Sequence, residues 1–172
     1  MRLLCTLSLA AALAAASTAA IAAQAPAAAP EAKPAAPAAK KAGAAAGRTI
    51  EITGGDDMKY SLTAMAAKPG ETIHIVLKST GTVPKIAMAH NFVVLKASVD
   101  AAKFGQDAMT ARETDYVPAE RKADILASTT LAGPGETVEV TFKAPAKAGV
   151  YTYMCTFPGH FAAGMHGELT VK

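Results

Sequence analysis

Hydrophobic and polar residues alternate along several short segments in the second two-thirds of the chain. In 72–79, Ile73, Ile75 and Leu77 share one side, while His74 lies on the other, as in a strand with one buried face. Alternation, or enrichment in Val, Thr, Tyr and Phe, predicts strands at 48–53, 72–79, 90–97, 136–144, 149–156 and 166–172. Gly- and Pro-containing turns separate these segments, so the pattern predicts an all-β sandwich or barrel.

Residues 98–125 interrupt this strand pattern. The segment is charged, rich in alanine and lacks alternation. We therefore expect an inserted flap with one or two short helices, around 99–112 and after Pro118.

The N-terminal part of the chain has a different composition. Residues 1–23 carry one charge, Arg2, then an apolar run and small residues, which predicts a signal peptide cleaved near Ala22 or Ala23. An uncleaved anchor is the alternative, because the run is long enough to span a membrane. Residues 24–47 are almost entirely Ala, Pro and Lys, which predicts an extended linker. We expect a periplasmic or secreted protein, with membrane contact only if the leader remains.

The charge balance of the remaining segment, 48–172, excludes one class of partner. Four of the 17 Lys and Arg precede residue 48, as does one of the 14 Asp and Glu, which leaves 13 of each sign. A neutral domain lacks the basic face that nucleic-acid binding requires, so no nucleic-acid partner is expected.

After removal of the leader, Cys155 is the sole cysteine. Cysteines in oxidising compartments usually pair, so a lone one there is free, intermolecular or bound to another group. Binding to a metal would account for its presence.

Four potential metal ligands support a metal-binding role: His90, Cys155, His160 and Met165. Each alone is compatible with an ordinary structural role. Together they match the donor set of a blue-copper centre, a trigonal His–Cys–His plane with a long axial Met. A structural zinc site would more often use four strong Cys and His ligands, and this domain has no second cysteine.

Several motifs resemble azurins and auracyanins, which are small cupredoxins. Cys155-Thr156-Phe157-Pro158-Gly159-His160 resembles their ligand loop, and 83–94 resembles the segment with their first histidine ligand. The turn at 54–58 and Asp115-Tyr116 also look azurin-like. The resemblance covers 48–172 and implies a Greek-key β-sandwich that binds one type 1 copper ion.

The resemblance also assigns roles by position. It implies equatorial ligands at His90, Cys155 and His160, with Met165 as the axial ligand. A weak contact from the Ala89 carbonyl is implied as well. Asn91 would hydrogen-bond near Thr156 and join the two ligand segments.

Some positions depart from the azurin pattern. Four residues separate His160 from Met165, where azurins have three, and Ala89 replaces a glycine. The azurin disulfide is absent. We expect His74 to be structural or at the surface, and His166 to begin a strand rather than to bind metal.

An apolar patch around the imidazole edge of His160 is the contact surface that the resemblance implies. Its expected partners are redox proteins such as c-type cytochromes or terminal reductases. The expected members of the patch are Met58, Met88, Phe157, Pro158, Phe161, Ala162 and Ala163.

These features together predict a single-electron carrier rather than an enzyme. A copper chaperone or storage protein is the alternative, but no methionine-rich or multi-histidine tract is present. Multicopper oxidases and copper nitrite reductases share the implied fold, but they need further domains and more than the four histidines of this chain.

Overall fold

The computed structural model describes residues 47–172. The predicted leader, 1–23, and all but the last residue of the predicted linker, 24–47, lie outside the described residues.

Two β-sheets form the framework of the described part. One sheet has the strand order β1-β3-β6 and the other β2-β8-β7-β4-β5. β1 pairs with β3, and β2 with β8, in parallel, while the remaining pairs are antiparallel. The strands are β1 Arg48–Gly54, β2 Ala64–Ala67, β3 Thr72–Ser79, β4 Val93–Leu95, β5 Ile125–Ser128, β6 Thr137–Lys143, β7 Gly149–Met154 and β8 His166–Val171.

A helical insertion connects β4 to β5. It contains α1, Ala101–Ala108, and two short 3-10 helices, Arg112–Thr114 and Ala119–Asp124. Asp100 caps α1 by accepting a hydrogen bond from the Lys103 N–H at 3.0 Å. The β-sandwich with a short helical insertion is confirmed.

The predicted strand at 90–97 is wrong in extent. Only Val93–Leu95 is a strand, because His90 instead forms an isolated antiparallel bridge with Ala132. β2 and β5 lack a sequence signal of their own. β2 reads AMAA, which has low intrinsic β-propensity, and its place in the sheet depends on pairing with β8.

Two apolar cores contain most of the buried hydrophobic residues. The main core lies between the sheets and includes Ile73, Ile75 and Leu77 of β3, which are fully buried, as their alternation predicts. A smaller core includes Val93 and Leu95. β4 is therefore covered on both faces, because Val94 belongs to the main core while its neighbours contact the insertion. The insertion thus completes the burial of a strand next to the candidate site.

Within residues 47–172, no helix is both long and apolar enough to cross a membrane.

Candidate metal centre

The loop between β7 and β8 carries three of the four predicted ligands. The Cys155 N–H donates to the Met165 carbonyl at 3.0 Å and extends the β7–β8 pairing by one step. Within the loop, the His160 N–H donates to the Phe157 carbonyl at 3.1 Å, and the Met165 N–H donates to the His160 carbonyl at 2.9 Å. These bonds fix the backbone at each ligand position.

The fourth predicted ligand, His90, comes from the segment just before β4. Its backbone exchanges two hydrogen bonds with Ala132, at 2.9 and 2.7 Å. Two residues later, the Phe92 N–H donates to Thr129 Oγ1 and the Phe92 carbonyl accepts from the Thr129 N–H, both at 3.0 Å. The chain after β5 therefore holds the His90 backbone in place.

His90, Cys155 and His160 converge at one point. One ligand atom from each lies within 4.8 Å of the other two. Cys155 Sγ is 3.4 Å from His160 Nδ1 and 3.9 Å from the Ala89 carbonyl oxygen, and the two imidazole rings are 5.1 Å apart between centroids. All three side chains are buried.

The imidazole of His90 fits a metal-binding role. Neither Nδ1 nor Nε2 has a hydrogen-bond partner among the described residues, although both atoms are buried. Leaving such polar groups unpaired inside a protein is costly, and native structures usually compensate for it. A metal ion bound between His90, Cys155 and His160 would satisfy one nitrogen of the ring and would use the soft thiolate and imidazole donors that copper prefers.

Met165 reaches the same point through a close approach at Gly54, the last residue of β1. A Cβ atom at Gly54 would lie 2.7 Å from Met165 Cε and 3.2 Å from the His90 ring. The end of the Met165 side chain and the His90 ring therefore both pack against this glycine. A larger residue would displace one of them, so the sequence requires glycine here.

Burial raises the pKa of the Cys155 thiol to about 12. The backbone N–H groups of Asn91 and Phe157, which are directed at the sulfur, oppose this rise. The metal-free thiol is therefore protonated at neutral pH. These donors remain available to stabilise the thiolate when a metal is bound.

Burial also lowers the pKa of both histidines. The pKa of His160 falls to about 4, with His90 contributing to the decrease. The pKa of His90 falls below its ordinary value, although Asp56 and Asp57 oppose the change. Both rings are neutral at pH 7, which is the form that binds metals.

Asn91 joins the two ligand segments, as the resemblance implies. Its Oδ1 accepts from the Thr156 N–H at 2.9 Å, and its Nδ2 donates to Thr156 Oγ1 at 2.8 Å. Nδ2 also donates to the Asp115 carbonyl at 2.9 Å, a contact that no sequence motif predicted. One amide therefore links the His90 segment, the ligand loop and the insertion.

The turn at Asp115 and Tyr116 is strained. Both residues have positive φ, 54° and 58°, a conformation that is uncommon for residues other than glycine. The Tyr116 ring packs edge-on against Phe157 at 5.2 Å, and Phe157 packs against His160 at 4.8 Å. The sequence motif marked this turn, but no pattern in it indicated these contacts.

The predicted contact patch is less exposed than expected at two positions. His160 exposes 2% of its surface to solvent and Phe157 exposes 9%, so both lie beneath the protein surface. Ala162 is exposed, and the other members, Met58, Met88, Pro158, Phe161 and Ala163, are partly exposed.

The two remaining histidines lie where the sequence analysis expected them. His166 begins β8 and packs against Phe161, and His74 lies 3.2 Å from Glu139.

The fold and this donor set define the class: a two-sheet β-protein with one buried thiolate, imidazole and thioether centre, as in small blue copper proteins. The family model described as copper binding proteins, plastocyanin/azurin family, matches residues 46–172. The chain belongs to this family, and copper is its cofactor.

Individual relatives agree with this assignment. Auracyanin-A of Chloroflexus aurantiacus is 38% identical over 127 residues, which is 72% of this chain and 74% of that protein. Azurin of Alcaligenes faecalis is 36% identical over 66% of this chain and 90% of its own length. Outer membrane protein H.8 of Neisseria meningitidis serogroup B is 40% identical, and the match spans 70% of this chain and 65% of that protein.

Solved structures show the same fold. A reduced auracyanin from Roseiflexus castenholzii has a TM-score of 0.65 and 39% identity, covering 74% of this chain and 98% of its own. Auracyanin A from Chloroflexus aurantiacus, described as a blue copper protein, has a TM-score of 0.64 and 37% identity, covering 72% of this chain and 98% of its own.

Proposed function

We propose that this protein carries single electrons between redox partners. In this proposal His90, Cys155 and His160 hold the copper ion and Met165 is a weak axial ligand, with the Ala89 carbonyl nearby. The observation that carries the proposal is the buried His90 ring. It has no hydrogen-bond partner among residues 47–172, and one of its nitrogens lies within 4.8 Å of a ligand atom of Cys155 and of His160. Bound copper would supply the one-electron Cu(I)/Cu(II) couple.

The protein's contribution is a rigid set of ligands. Backbone bonds fix His90 to Ala132 and Cys155 to Met165, and Asn91 ties the two segments together. A fixed frame limits how far the ligands move between oxidation states, which favours fast electron exchange. The four donors leave no open position for a substrate, which favours a carrier over an enzyme.

Copper electron carriers bind their partners weakly and release them. Small interfaces suit such encounters, and an apolar patch usually marks a contact surface. We propose that the partly exposed residues around the ligand loop meet the partner, and that a c-type cytochrome or a terminal reductase fills that role. The predicted leader supports a periplasmic or secreted location.

Visible and EPR spectra after addition of Cu(II) test the ligand set. We expect an intense blue absorption and an unusually small copper hyperfine splitting. Cys155→Ser should abolish the blue colour, because thiolate-to-copper charge transfer produces it. Tyr151→Phe, which removes one hydroxyl from β7, the strand that precedes Cys155, is the control and should remain blue. A blue spectrum from Cys155→Ser would contradict the assignment.

Stopped-flow mixing of the Cu(II) protein with a reduced c-type cytochrome tests the carrier role itself. We expect rapid bleaching of the blue band, together with oxidation of the cytochrome in equal amount. A protein that loses copper readily to a chelator and exchanges no electrons would instead be a copper chaperone or storage protein.

A further inference from the structure

Lys59 contacts the ligand loop from a distant part of the chain. Its Nζ donates a hydrogen bond to the Ala163 carbonyl, 104 positions later. Ala163 lies in the segment between His160 and Met165, two of the proposed ligands. No feature of the sequence indicated this contact.

The ligand loop offers Lys59 a suitable acceptor. Residues 159–164 form a helical turn, in which the Ala163 N–H donates to the Gly159 carbonyl at 2.9 Å and the Gly164 N–H to the Phe161 carbonyl at 2.8 Å. Carbonyls at the end of such a turn lack donors from within it, and a lysine there stabilises them.

Gly164 makes room for the ammonium group. A Cβ atom at this position would lie 2.6 Å from Lys59 Nζ, and the φ angle of Gly164 is +94°. Gly164 directly precedes Met165, so a change in the backbone at Gly164 would alter the position of the side chain that packs beside His90.

The backbone of Lys59 lies in the segment that contacts Gly54 and Asn91, next to His90. Its N–H donates to Asp57 Oδ1 at 3.3 Å. The next residue, Tyr60, forms a β-bridge with Gly54 and donates its hydroxyl to the Asn91 carbonyl at 2.5 Å. Lys59 therefore connects the segment that is bonded to Gly54 and Asn91 with the loop that ends at Met165.

We propose that Lys59 is a positioning residue for the metal centre: its ammonium group holds residues 163–165 so that Met165 stays beside His90. This inference rests on the proposed function, because it concerns the placement of the axial ligand. In this proposal Lys59 acts through the backbone of the loop, at the Ala163 carbonyl, and not as a ligand.

The first test uses the metal-free protein and NMR hydrogen exchange. In Lys59→Met, the amides of Gly164 and Met165 should exchange about 3- to 10-fold faster, because local opening loses one hydrogen bond. Lys59→Arg keeps the charge and the donor and should stay close to the unmodified protein. Lys143→Met removes the same charge from an exposed position in β6 and should change neither amide.

The second test adds Cu(II) to the same four proteins. The intensity ratio of the thiolate-to-copper charge-transfer bands, and the rhombicity of the EPR signal, depend on the axial ligand. Both should change in Lys59→Met alone.

Unchanged exchange in Lys59→Met would overturn the proposal, as would an unchanged spectrum. Equal changes in Lys143→Met would also overturn it, because they would indicate an effect of net charge. If the unmodified protein lacked the charge-transfer bands, the proposed electron-carrier function would fail. The exchange experiment would then still decide whether Lys59 holds the loop.

Discussion

At the scale of single residues, two opposite pKa shifts prepare the site for a metal ion. Burial keeps the Cys155 thiol protonated and keeps both imidazoles neutral. Each side chain is therefore uncharged before the metal arrives, which lowers the cost of holding all three inside the protein. Only the thiol must lose a proton on binding.

Zn(II), which is redox-inert, allows this proton to be counted. At pH 7 we expect about one proton to be released per Zn(II) bound, since Cys155 is the only protonated ligand. Isothermal titration calorimetry in two buffers with different ionisation enthalpies measures the number. Cys155→Ser should release almost none.

The pH dependence of binding follows from the same shifts. Near neutral pH, where both imidazoles are unprotonated, affinity should fall roughly tenfold for each unit of decreasing pH, because one proton competes. At lower pH, protons also compete for His90 and for His160, whose pKa is about 4, and the fall becomes steeper. Release of two protons at pH 7 would show that a histidine is charged in the metal-free protein.

The axial position gives a second prediction. Met165→Leu should keep the blue colour and raise the reduction potential, because the thioether stabilises Cu(II) more than Cu(I). A tenfold loss of relative Cu(II) affinity corresponds to about 60 mV for one electron. Protein-film voltammetry measures the shift. An unchanged potential would point to a different axial group.

The ligand residues could be predicted from sequence because their chemistry is unusual. A lone cysteine that is followed at this spacing by a histidine and a methionine is typical of a metal-binding loop and of few ordinary structural segments. The resemblance marked the turns that contain Gly54 and Asp115 but not the contacts that these two residues make, and nothing in the sequence marked Lys59. These contacts involve backbone atoms or partners that are distant in sequence. A pattern of side chains along the chain does not indicate contacts of either kind.

At the scale of elements, Asn91 connects three segments. Its removal leaves the Thr156 N–H without a partner in a position that is 2% exposed. We expect Asn91→Ala to lower the free energy of unfolding of the metal-free protein by about 2–4 kcal/mol, measured by urea denaturation.

Thr156→Val is the matched control for this change. It removes only the bond between Nδ2 and Oγ1 and keeps the one between Oδ1 and the backbone N–H. We expect a loss of about 1 kcal/mol. Equal effects from both substitutions would mean that the backbone bond contributes little.

The strands were predictable to different degrees for a physical reason. β3 alternates clearly because one face meets the core and the other meets solvent. β4 is buried on both faces, so alternation is absent and its limits depend on the bridge from His90 to Ala132. β2 and β5 are short edge strands whose formation depends on a neighbour.

At the scale of the whole molecule, metal binding and folding are linked. A ligand that binds only the folded state stabilises it, by about 2.7 kcal/mol at a free concentration 100 times Kd. We expect Zn(II) at that excess to raise the Tm by roughly 10 °C in differential scanning calorimetry. A chelator should reverse the rise, and Cys155→Ser should show little of it. A Tm independent of metal would contradict a site formed by folding.

The hydrogen bond between the Cys155 N–H and the Met165 carbonyl closes the base of the ligand loop on the last step of the β7–β8 ladder. The pairing of β7 with β8 itself therefore does not determine how many residues the loop contains. Insertions or deletions there can alter the electronic behaviour of the centre while the framework is inherited unchanged. Evolution can thus adapt the centre of such a protein through a small heritable change in one loop.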